Sequence, residues 1–289
     1  MPFELLFPRS LEEAWTLLEQ GAPGSSMAMA GGTDLLLAMD FRRFAPERVV
    51  SLSRLPLDTV EVGEKEVRIG STVPLRSIEL DPRVRKALPA LSEALAEVGS
   101  VQLRHRATLG GNVVRASASS DLLPPLVAMD CRLTISSRKG RRSLSLDEFV
   151  EGSWRTKLQP GELVEDLRIP APLPGAYRWQ RVRPANDISQ VGVAVVRHPA
   201  QDGSSTPDWR IVAGGTSPRV QRLRGSESAL LSPWPSEEEI AEAAKRAAQE
   251  ARFATDLRAA EEYRRKLLEA LVRSGIESTL ERLREGGGR

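Results

Sequence analysis

Two pairs of adjacent glycines, about eighty residues apart, constrain this chain more than any other feature. The first lies in AGGTDL at residues 30–35, between a predicted short strand over residues 27–30 and a predicted helix over residues 35–39. The second lies in ATLGGNV at residues 107–113. Paired glycines permit positive φ angles and let backbone N–H groups come close to an anion. Together the loops could hold both phosphates of one dinucleotide, although either loop alone is more simply interpreted as a tight turn.

Other cofactor and metal motifs are missing from the sequence. Neither loop reads GxGxxG, and no Gly-Lys-Ser/Thr follows either one, so the Rossmann fingerprint and the P-loop are excluded. Cys131 is the sole cysteine, and His105 and His198 lie far apart in sequence. These counts exclude an internal disulfide, a four-cysteine iron–sulfur site and a zinc ribbon. We therefore predict no metal site and no catalytic side chain, and expect Cys131 to be a small core residue.

Charge and hydropathy limit the kinds of partner. The 289 residues include 41 basic and 39 acidic side chains, and aromatic residues make up 4%. This balance argues against nucleic-acid binding, which favours a broad basic patch with stacking aromatics. The basic run at residues 138–142 is predicted to be the tip of a hairpin. No apolar run reaches the length of a membrane span, so we expect a cytoplasmic protein.

Periodicity predicts the main elements of the first 170 residues. A strand, a helix and a strand open the chain, and Ser10 with Glu13 is predicted to form a capping box. Alternating apolar residues around Gly63 predict a hairpin over residues 60–69. Residues 82–98 are predicted to be helical, and residues 133–136 to be a strand.

A proline-rich connector, PAPLPG at residues 170–175, marks the predicted domain boundary. Three strands are predicted beyond it, over residues 177–182, 190–197 and 209–213. Helices complete the chain, the first opening on a capping box formed by Ser236 and Glu239. The pattern as a whole predicts an α+β fold.

Several motifs resemble those of the medium, flavin-binding subunit of the molybdenum hydroxylases, the family of xanthine dehydrogenase, aldehyde oxidase and carbon monoxide dehydrogenase. They are QLRHRATLGGN at residues 102–112, ASASSD at residues 116–121 and AGGTDL at residues 30–35. Similar segments follow in order at residues 155–170 and 183–189, so the resemblance covers nearly all of the chain. The sequence departs from the family pattern at His105, Ala118 and Gln180, where the family usually has Asn, Pro and Lys.

The resemblance implies a two-lobed FAD-binding domain of the vanillyl-alcohol-oxidase/PCMH type. This domain covers residues 1–170, with lobes at 1–55 and 56–170. A C-terminal domain over residues 176–289, with a three-stranded antiparallel sheet and a helical bundle, follows it.

The resemblance also implies a set of residues that hold FAD. Backbone amides of the two loops would hold the pyrophosphate and ribityl chain, Asp121 would accept hydrogen bonds from FAD hydroxyls, and Val164 and Gln180 would lie near the ring systems. An alternative role for Asp121 is helix capping, and Trp154 could either shield a ring or pack in the core. The implied FAD-binding residues are Ala28, Met29, Ala30, Gly31, Gly32, Thr33, Asp34, Leu35, Thr108, Leu109, Gly110, Gly111, Asn112, Asp121, Val164 and Gln180.

The function implied by the resemblance is electron transfer within a larger complex. A large subunit with the molybdenum cofactor and a small subunit with [2Fe–2S] clusters would be the partners, in a heterotrimer that dimerises. Electrons would pass from the clusters to FAD and on to NAD⁺, a quinone or O₂. Two alternatives are a free-standing FAD-dependent reductase or oxidase of related fold, and a binding module that has lost its flavin.

Overall fold

The computed structural model describes residues 2–183, 186–200 and 207–285. In this part of the chain, three β-sheets of three, five and four strands and one two-stranded hairpin combine with helices. No helix within it is long and apolar enough to cross a membrane.

The first lobe is a small parallel sheet with two helices. Its elements are β1 (Glu4–Leu6), α1 (Leu11–Glu19), β2 (Ser26–Met29), α2 (Leu35–Asp40) and β3 (Arg48–Ser51). The strands run parallel in the order β1-β3-β2, so their carboxyl ends meet at one edge of the sheet. In open sheets of parallel strands, ligands bind beyond this edge. The first glycine loop directly follows β2 and therefore lies there.

The start of α1 differs from the predicted capping box. Ser10 caps the helix by accepting a hydrogen bond from the Glu13 amide at 3.1 Å, as expected. The Glu13 carboxylate, however, accepts from the backbone N–H of Arg9 at 2.7 Å rather than from that of Ser10. Only the Ser10 half of the capping box is formed, because the Glu13 carboxylate binds the amide of Arg9 instead of that of Ser10.

The second lobe contains a five-stranded antiparallel sheet with the strand order β4-β5-β10-β6-β7. Its elements are β4 (Val60–Val62), β5 (Glu66–Gly70), α3 (Leu75–Leu80), α4 (Pro82–Ala87), α5 (Pro89–Glu97), α6 (Val101–Arg104), α7 (Leu109–Arg115), α8 (Leu123–Ala128), β6 (Arg132–Ser137), β7 (Gly140–Ser145), α9 (Leu146–Phe149), β8 (Val150–Gly152), β9 (Arg155–Thr156) and β10 (Leu163–Pro170).

The two predicted hairpins of this lobe are confirmed, and the structure has two helices where the sequence predicted one. Val60 pairs with Ile69 around the Gly63 turn, and the basic run at residues 138–142 spans the β6–β7 turn. The predicted helix over residues 82–98 breaks at Leu88, whose φ and ψ are −135° and 65°. The break follows from Pro89, since the residue before a proline is pushed out of the helical region.

The C-terminal domain places two helices on one face of an antiparallel sheet. Its elements are β11 (Gly175–Gln180), β12 (Val191–Ala200), β13 (Pro207–Gly214), β14 (Gln221–Arg222), α10 (Arg224–Glu227), α11 (Glu237–Glu250) and α12 (Glu261–Glu285). The capping box of Ser236 and Glu239 at the start of α11 is confirmed.

Two details of the predicted C-terminal domain are wrong. The sheet has four strands rather than three, because the two residues of β14 pair with Val212 and Ala213 of β13. A strand this short carries no alternation that a sequence pattern could reveal. The two long helices form no separate bundle, since Ala243 and Ile276 pack with Val195 of the sheet in one core.

The opposite face of the C-terminal sheet packs on the second lobe. Ala194 and Val196 of β12 and Val212 of β13 share a core with Leu123 and Leu126 of α8. All five side chains are fully buried. A continuous apolar core therefore joins the C-terminal domain to the second lobe. This core includes residues of the loop between α7 and α8.

Candidate functional site

A cavity of about 370 Å³ lies between the two lobes. Both glycine loops line it, one from each lobe, together with Leu52 after β3 and Val164 on β10. The volume is within the usual range of small-molecule sites. The predicted meeting of two loops from distant parts of the sequence therefore occurs in the structure.

The first glycine loop is shaped by close backbone contact. A Cβ on Gly31 would lie 1.9 Å from the carbonyl oxygen of Arg106, just before the second loop. Gly32 has a φ of +78°, in the left-handed region that favours glycine. Both glycines are therefore needed for the loop to take this path.

The amides of the first loop are available for a ligand. Among the described residues, the N–H groups of Gly31, Gly32, Thr33 and Asp34 donate to no acceptor. Successive free amides around a left-handed residue make a concave site for an anion. This run of free donors suits a phosphate group.

The second glycine loop differs from expectation, because its amides are satisfied within the protein. Leu109 donates to the Val73 carbonyl at 3.2 Å, and Gly110 donates to the Ser71 carbonyl at 3.1 Å. Gly111 donates to the Thr108 hydroxyl oxygen, which caps α7, at 3.1 Å. A Cβ on Gly110 would lie 2.5 Å from that of Ser71. This loop therefore contributes shape and side chains to the cavity rather than a row of free amides.

Three polar side chains could still bind a ligand on this side of the cavity. Asn112 accepts a hydrogen bond from the Ser120 hydroxyl on its Oδ1 at 2.6 Å, which leaves its amide protons to donate. The Thr108 hydroxyl also keeps its proton. Ser71 lines the cavity, and its buried Oγ has no hydrogen-bond partner among the residues described. Buried hydroxyls without partners are costly, so Ser71 indicates a missing polar group.

An aromatic and cationic cluster closes one part of the cavity. The guanidinium of Arg115 lies 4.5 Å from the centre of the Trp154 ring, and Phe44 meets that ring edge to face at 4.9 Å. Arg115 also pairs with Asp34 at 3.3 Å. Burial lowers the pKa of Arg115, and the charge of Asp34 opposes that shift. Trp154 is half-buried with a φ of +61°, so it is a wall residue of the cavity and not a core residue.

One acidic residue of the wall is held in its charged form. Arg142 donates to both carboxylate oxygens of Glu162, at 2.8 and 2.7 Å. These hydrogen bonds hold the pKa of Glu162 below its usual range, against the opposing effect of burial. Part of the basic run at residues 138–142 therefore supports the cavity wall.

Three of the predicted site residues do not reach the cavity. Leu109 is fully buried in the core, since it points inward at the start of α7. Gln180 is exposed at the end of β11 and donates to the Arg181 carbonyl at 3.0 Å. Asp121 is buried and does not line the cavity, and the N-cap of α8 is Leu122, with no side-chain cap, so the alternative capping role of Asp121 is wrong. The predicted residues that line the cavity are Ala28, Met29, Ala30, Gly31, Gly32, Thr33, Asp34, Leu35, Thr108, Gly110, Gly111, Asn112 and Val164.

Further wall residues were not predicted individually from the sequence, although some of them, such as Leu103 and Thr156, lie within the family-like segments at residues 102–112 and 155–170. They are Met27, Phe44, Leu52, Ser71, Val98, Leu103, Ala107, Val114, Arg115, Thr156, Leu158, Glu162 and Leu163. Most are apolar, which suits flat ring systems at the ends of a cofactor. No three His, Cys, Asp or Glu side chains in the described ranges are grouped to hold a metal ion.

Comparison with known proteins agrees with this geometry. Residues 1–172 match the family described as the FAD binding domain in molybdopterin dehydrogenase. Residues 176–279 match the CO dehydrogenase flavoprotein C-terminal domain. The nicotine 6-hydroxylase medium subunit of Paenarthrobacter nicotinovorans is 31% identical over 270 residues, which cover 93% of this chain and 94% of that protein.

Solved structures give the same result. Carbon monoxide dehydrogenase from Hydrogenophaga pseudoflava contains a chain that superposes with a TM-score of 0.89 at 28% identity, covering 98% of both chains. Quinoline 2-oxidoreductase from Pseudomonas putida 86 gives a TM-score of 0.88 at 25% identity, over 97% of this chain and 98% of that one.

The fold and cavity define a flavoprotein subunit, and the resemblance drawn from the motifs is confirmed. The chain belongs to the family of FAD-binding domains in molybdopterin dehydrogenases. It binds FAD and is the medium subunit of a molybdenum-hydroxylase-type oxidoreductase.

Proposed function

We propose that FAD lies across the cavity with its pyrophosphate on the amides of Gly31 to Asp34. The observation that carries this proposal is the run of four amides without acceptors among the described residues, at a left-handed glycine. Donors of this kind form strong hydrogen bonds to a charged phosphate. The side chains of Thr108 and Asn112, on the facing wall, then donate to the same extended cofactor.

The remaining wall residues bind and orient the cofactor. Ala28, Met29, Ala30, Leu35 and Val164 supply apolar surface, and the wall position of Ser71 supports a contact between its unpaired hydroxyl and a polar atom of FAD. Leu109 and Gln180 have no place in this proposal. Bound FAD supplies the exchange between one-electron and two-electron partners.

We propose that the cofactor is held without a covalent bond. No histidine or cysteine is among the residues that line the cavity in the described part of the chain. Burial raises the pKa of the Cys131 thiol, and a buried thiol of raised pKa is unreactive.

The domain boundaries are part of the same proposal. We place the FAD-binding domain at residues 1–170, with lobes at 1–55 and 56–170, and the C-terminal domain at 176–289. The two lobes that flank the cavity support assignment to the vanillyl-alcohol-oxidase/PCMH type. The cytoplasm remains the predicted location.

We propose that the chain works in a complex with a large molybdenum-cofactor subunit and a small [2Fe–2S] subunit, in a heterotrimer that dimerises. Two observations support this. The described residues have no grouping that could hold a metal, and relatives are called medium subunits or chains. The chain would take electrons from the clusters and pass them to NAD⁺, a quinone or O₂.

The test separates the flavin function from the chemistry of the complex. Given NADH or dithionite as the electron donor, the isolated FAD-loaded chain should pass electrons to artificial acceptors, as a diaphorase does, but it should not oxidise a purine, an aldehyde or CO. Adding the large and small subunits should restore flavin reduction by the complex's substrate. Flavin bleaching by such a substrate with this chain alone would contradict the proposed division of roles.

A further inference from the structure

A buried carboxylate joins the two domains immediately behind the cavity wall. Asp121 is 8% exposed and belongs to the loop between α7 and α8. Its Oδ1 accepts hydrogen bonds from the Tyr177 hydroxyl and the Ser189 hydroxyl, both at 2.6 Å. Both donors belong to the C-terminal domain. Oδ2 receives no hydrogen bond from the described residues, so it remains an acceptor for a further group.

The fold holds the Tyr177 hydroxyl in one place. Tyr177 is 1% exposed, and its ring stacks on Trp179 with centres 5.8 Å apart and planes at 8°. Gly192 on the adjacent strand makes room for the hydroxyl, since a Cβ there would lie 2.2 Å from it. The sheet and the stacked Trp179 therefore restrain the ring, and its hydroxyl is a well-placed donor to the carboxylate.

The same loop reaches the cavity through the residue before Asp121. The Ser120 hydroxyl donates to Asn112 Oδ1 at 2.6 Å, and Asn112 lines the cavity. A second contact from the C-terminal domain fixes this loop, where the Gly215 amide donates to the Ala118 carbonyl at 2.8 Å. A continuous chain of contacts therefore runs from the C-terminal sheet to the cavity wall.

We propose that Tyr177 and Ser189 are positioning residues of the flavin site, which hold Asp121 and through its loop fix Asn112 against the bound cofactor. The C-terminal domain is thereby part of the flavin site although it supplies no wall residue among those described. This inference rests on the proposed placement of FAD in the cavity.

Other polar contacts already attach the C-terminal domain to the second lobe, so attachment alone does not require hydrogen bonds to a buried Asp121. Glu93 on α5 already accepts from the Tyr177 amide at 2.8 Å and from Arg178 at 3.2 Å. Arg181 pairs with Glu97 at 2.6 Å across the same boundary. Burying a carboxylate costs several kcal/mol before its hydrogen bonds form, so a carboxylate is a poor choice for attachment alone.

The experiment compares hydroxyl removals with two matched controls. Tyr177→Phe and Ser189→Ala each remove one donor to Asp121 and keep the packing. Tyr263→Phe makes the same change at an exposed tyrosine. Glu93→Gln weakens the domain boundary without touching Asp121. For each variant, FAD is titrated into apoprotein to obtain Kd, and apoprotein Tm is measured separately.

We expect Tyr177→Phe and Ser189→Ala to weaken FAD binding by up to about tenfold each, because FAD binding must then order a loop that has lost one hydrogen bond to a charged group. Tyr263→Phe should change neither quantity, and Glu93→Gln should lower Tm while Kd is kept. Ser189→Ala tests the idea even where Tyr177→Phe does not fold.

The pH profile gives an independent readout. Burial raises the pKa of Asp121, and the hydrogen bonds from Ser189 and Tyr177 lower it, as does the charge of Arg181. Glu97, which pairs with Arg181, is a second carboxylate close enough to interact with Asp121. Removing either hydroxyl should raise the pKa of Asp121 further, so the loss of FAD affinity on acidification should begin at a higher pH than in the wild type.

Two results would overturn the positioning role. One is an unchanged Kd and pH profile in Tyr177→Phe and Ser189→Ala, with Tm alone lowered. The other is an equal loss of affinity in Glu93→Gln. Wild-type chain that binds no FAD would refute the placement of the cofactor itself, and this inference with it.

Discussion

Gly32 offers the sharpest test of the first glycine loop, because alanine at this position restricts the backbone conformation and adds only one methyl group. Its φ of +78° orients the amides that the proposed site presents to a phosphate. An added Cβ would meet only the ends of flexible side chains, the sulfur of Met29 at 3.1 Å and Cδ1 of Leu36 at 3.3 Å. Gly32→Ala therefore tests conformation rather than space.

The expected size of the effect follows from two separate contributions. A non-glycine residue in the left-handed region costs about 1–2 kcal/mol, part of which is offset by the lower entropy of the unfolded chain. If the loop relaxes instead, one or two amides lose their alignment with the phosphate. Each hydrogen bond to a charged group is worth about 1.5–3 kcal/mol. We therefore expect the loss of one such hydrogen bond to weaken FAD binding by about tenfold to about 150-fold, and the loss of two to weaken it further.

Gly24 supplies the matched control. Its φ is +85°, and nothing lies within 4 Å of the position where a Cβ would be added. Gly24→Ala should have a similar backbone cost and leave the cavity untouched. Titration of apoprotein with FAD, followed by flavin fluorescence, gives Kd, and circular dichroism gives Tm. Equal FAD affinity in the two variants would refute the assignment of the phosphate to this loop.

Three further predictions concern the facing wall and the bond to the cofactor. Gly111→Val should abolish FAD binding and leave the fold largely intact, because Gly111 lines the cavity and a valine there would occupy space that the cofactor needs and displace the Thr108 hydroxyl, which lies 2.9 Å from an added Cβ; full flavin content in the purified variant would contradict this. Ser71→Ala should weaken FAD binding without lowering apoprotein Tm, because the hydroxyl it removes has no partner in the described structure. Ser92→Ala is the control, as Ser92 also has a buried, unpaired hydroxyl but does not line the cavity, and equal Kd values in the two variants would argue against the Ser71 contact. Acid or heat should release all of the flavin from the polypeptide, and a chromophore that stays attached would show a covalent bond.

Local patterns predicted the elements and the two loops well. The glycine pairs, the hairpin around Gly63 and the capping box at Ser236 each depend on residues close together in sequence. They can therefore be predicted without knowledge of the fold. The break at Leu88 is also local, and Pro89 marks it.

The contacts that complete the site are long-range, and for that reason the sequence could not specify them. The acceptors for the second loop's amides, Ser71 and Val73, lie on the connection after β5. The donors to Asp121 follow it by 56 and 68 residues, and nothing near Tyr177 or Ser189 in sequence indicates that role. Trp154 reaches the cavity because the short β8–β9 turn carries it there, which its neighbours in sequence do not reveal.

The central claim is that this chain is the FAD-carrying subunit of a larger molybdenum enzyme. Its most direct test is purification of the tagged chain from the cells that make it, with FAD, iron and molybdenum measured in the same sample. The account predicts all three in constant proportion, together with one larger and one smaller partner subunit. A preparation that holds FAD at full occupancy, without iron, molybdenum or either partner, would contradict it.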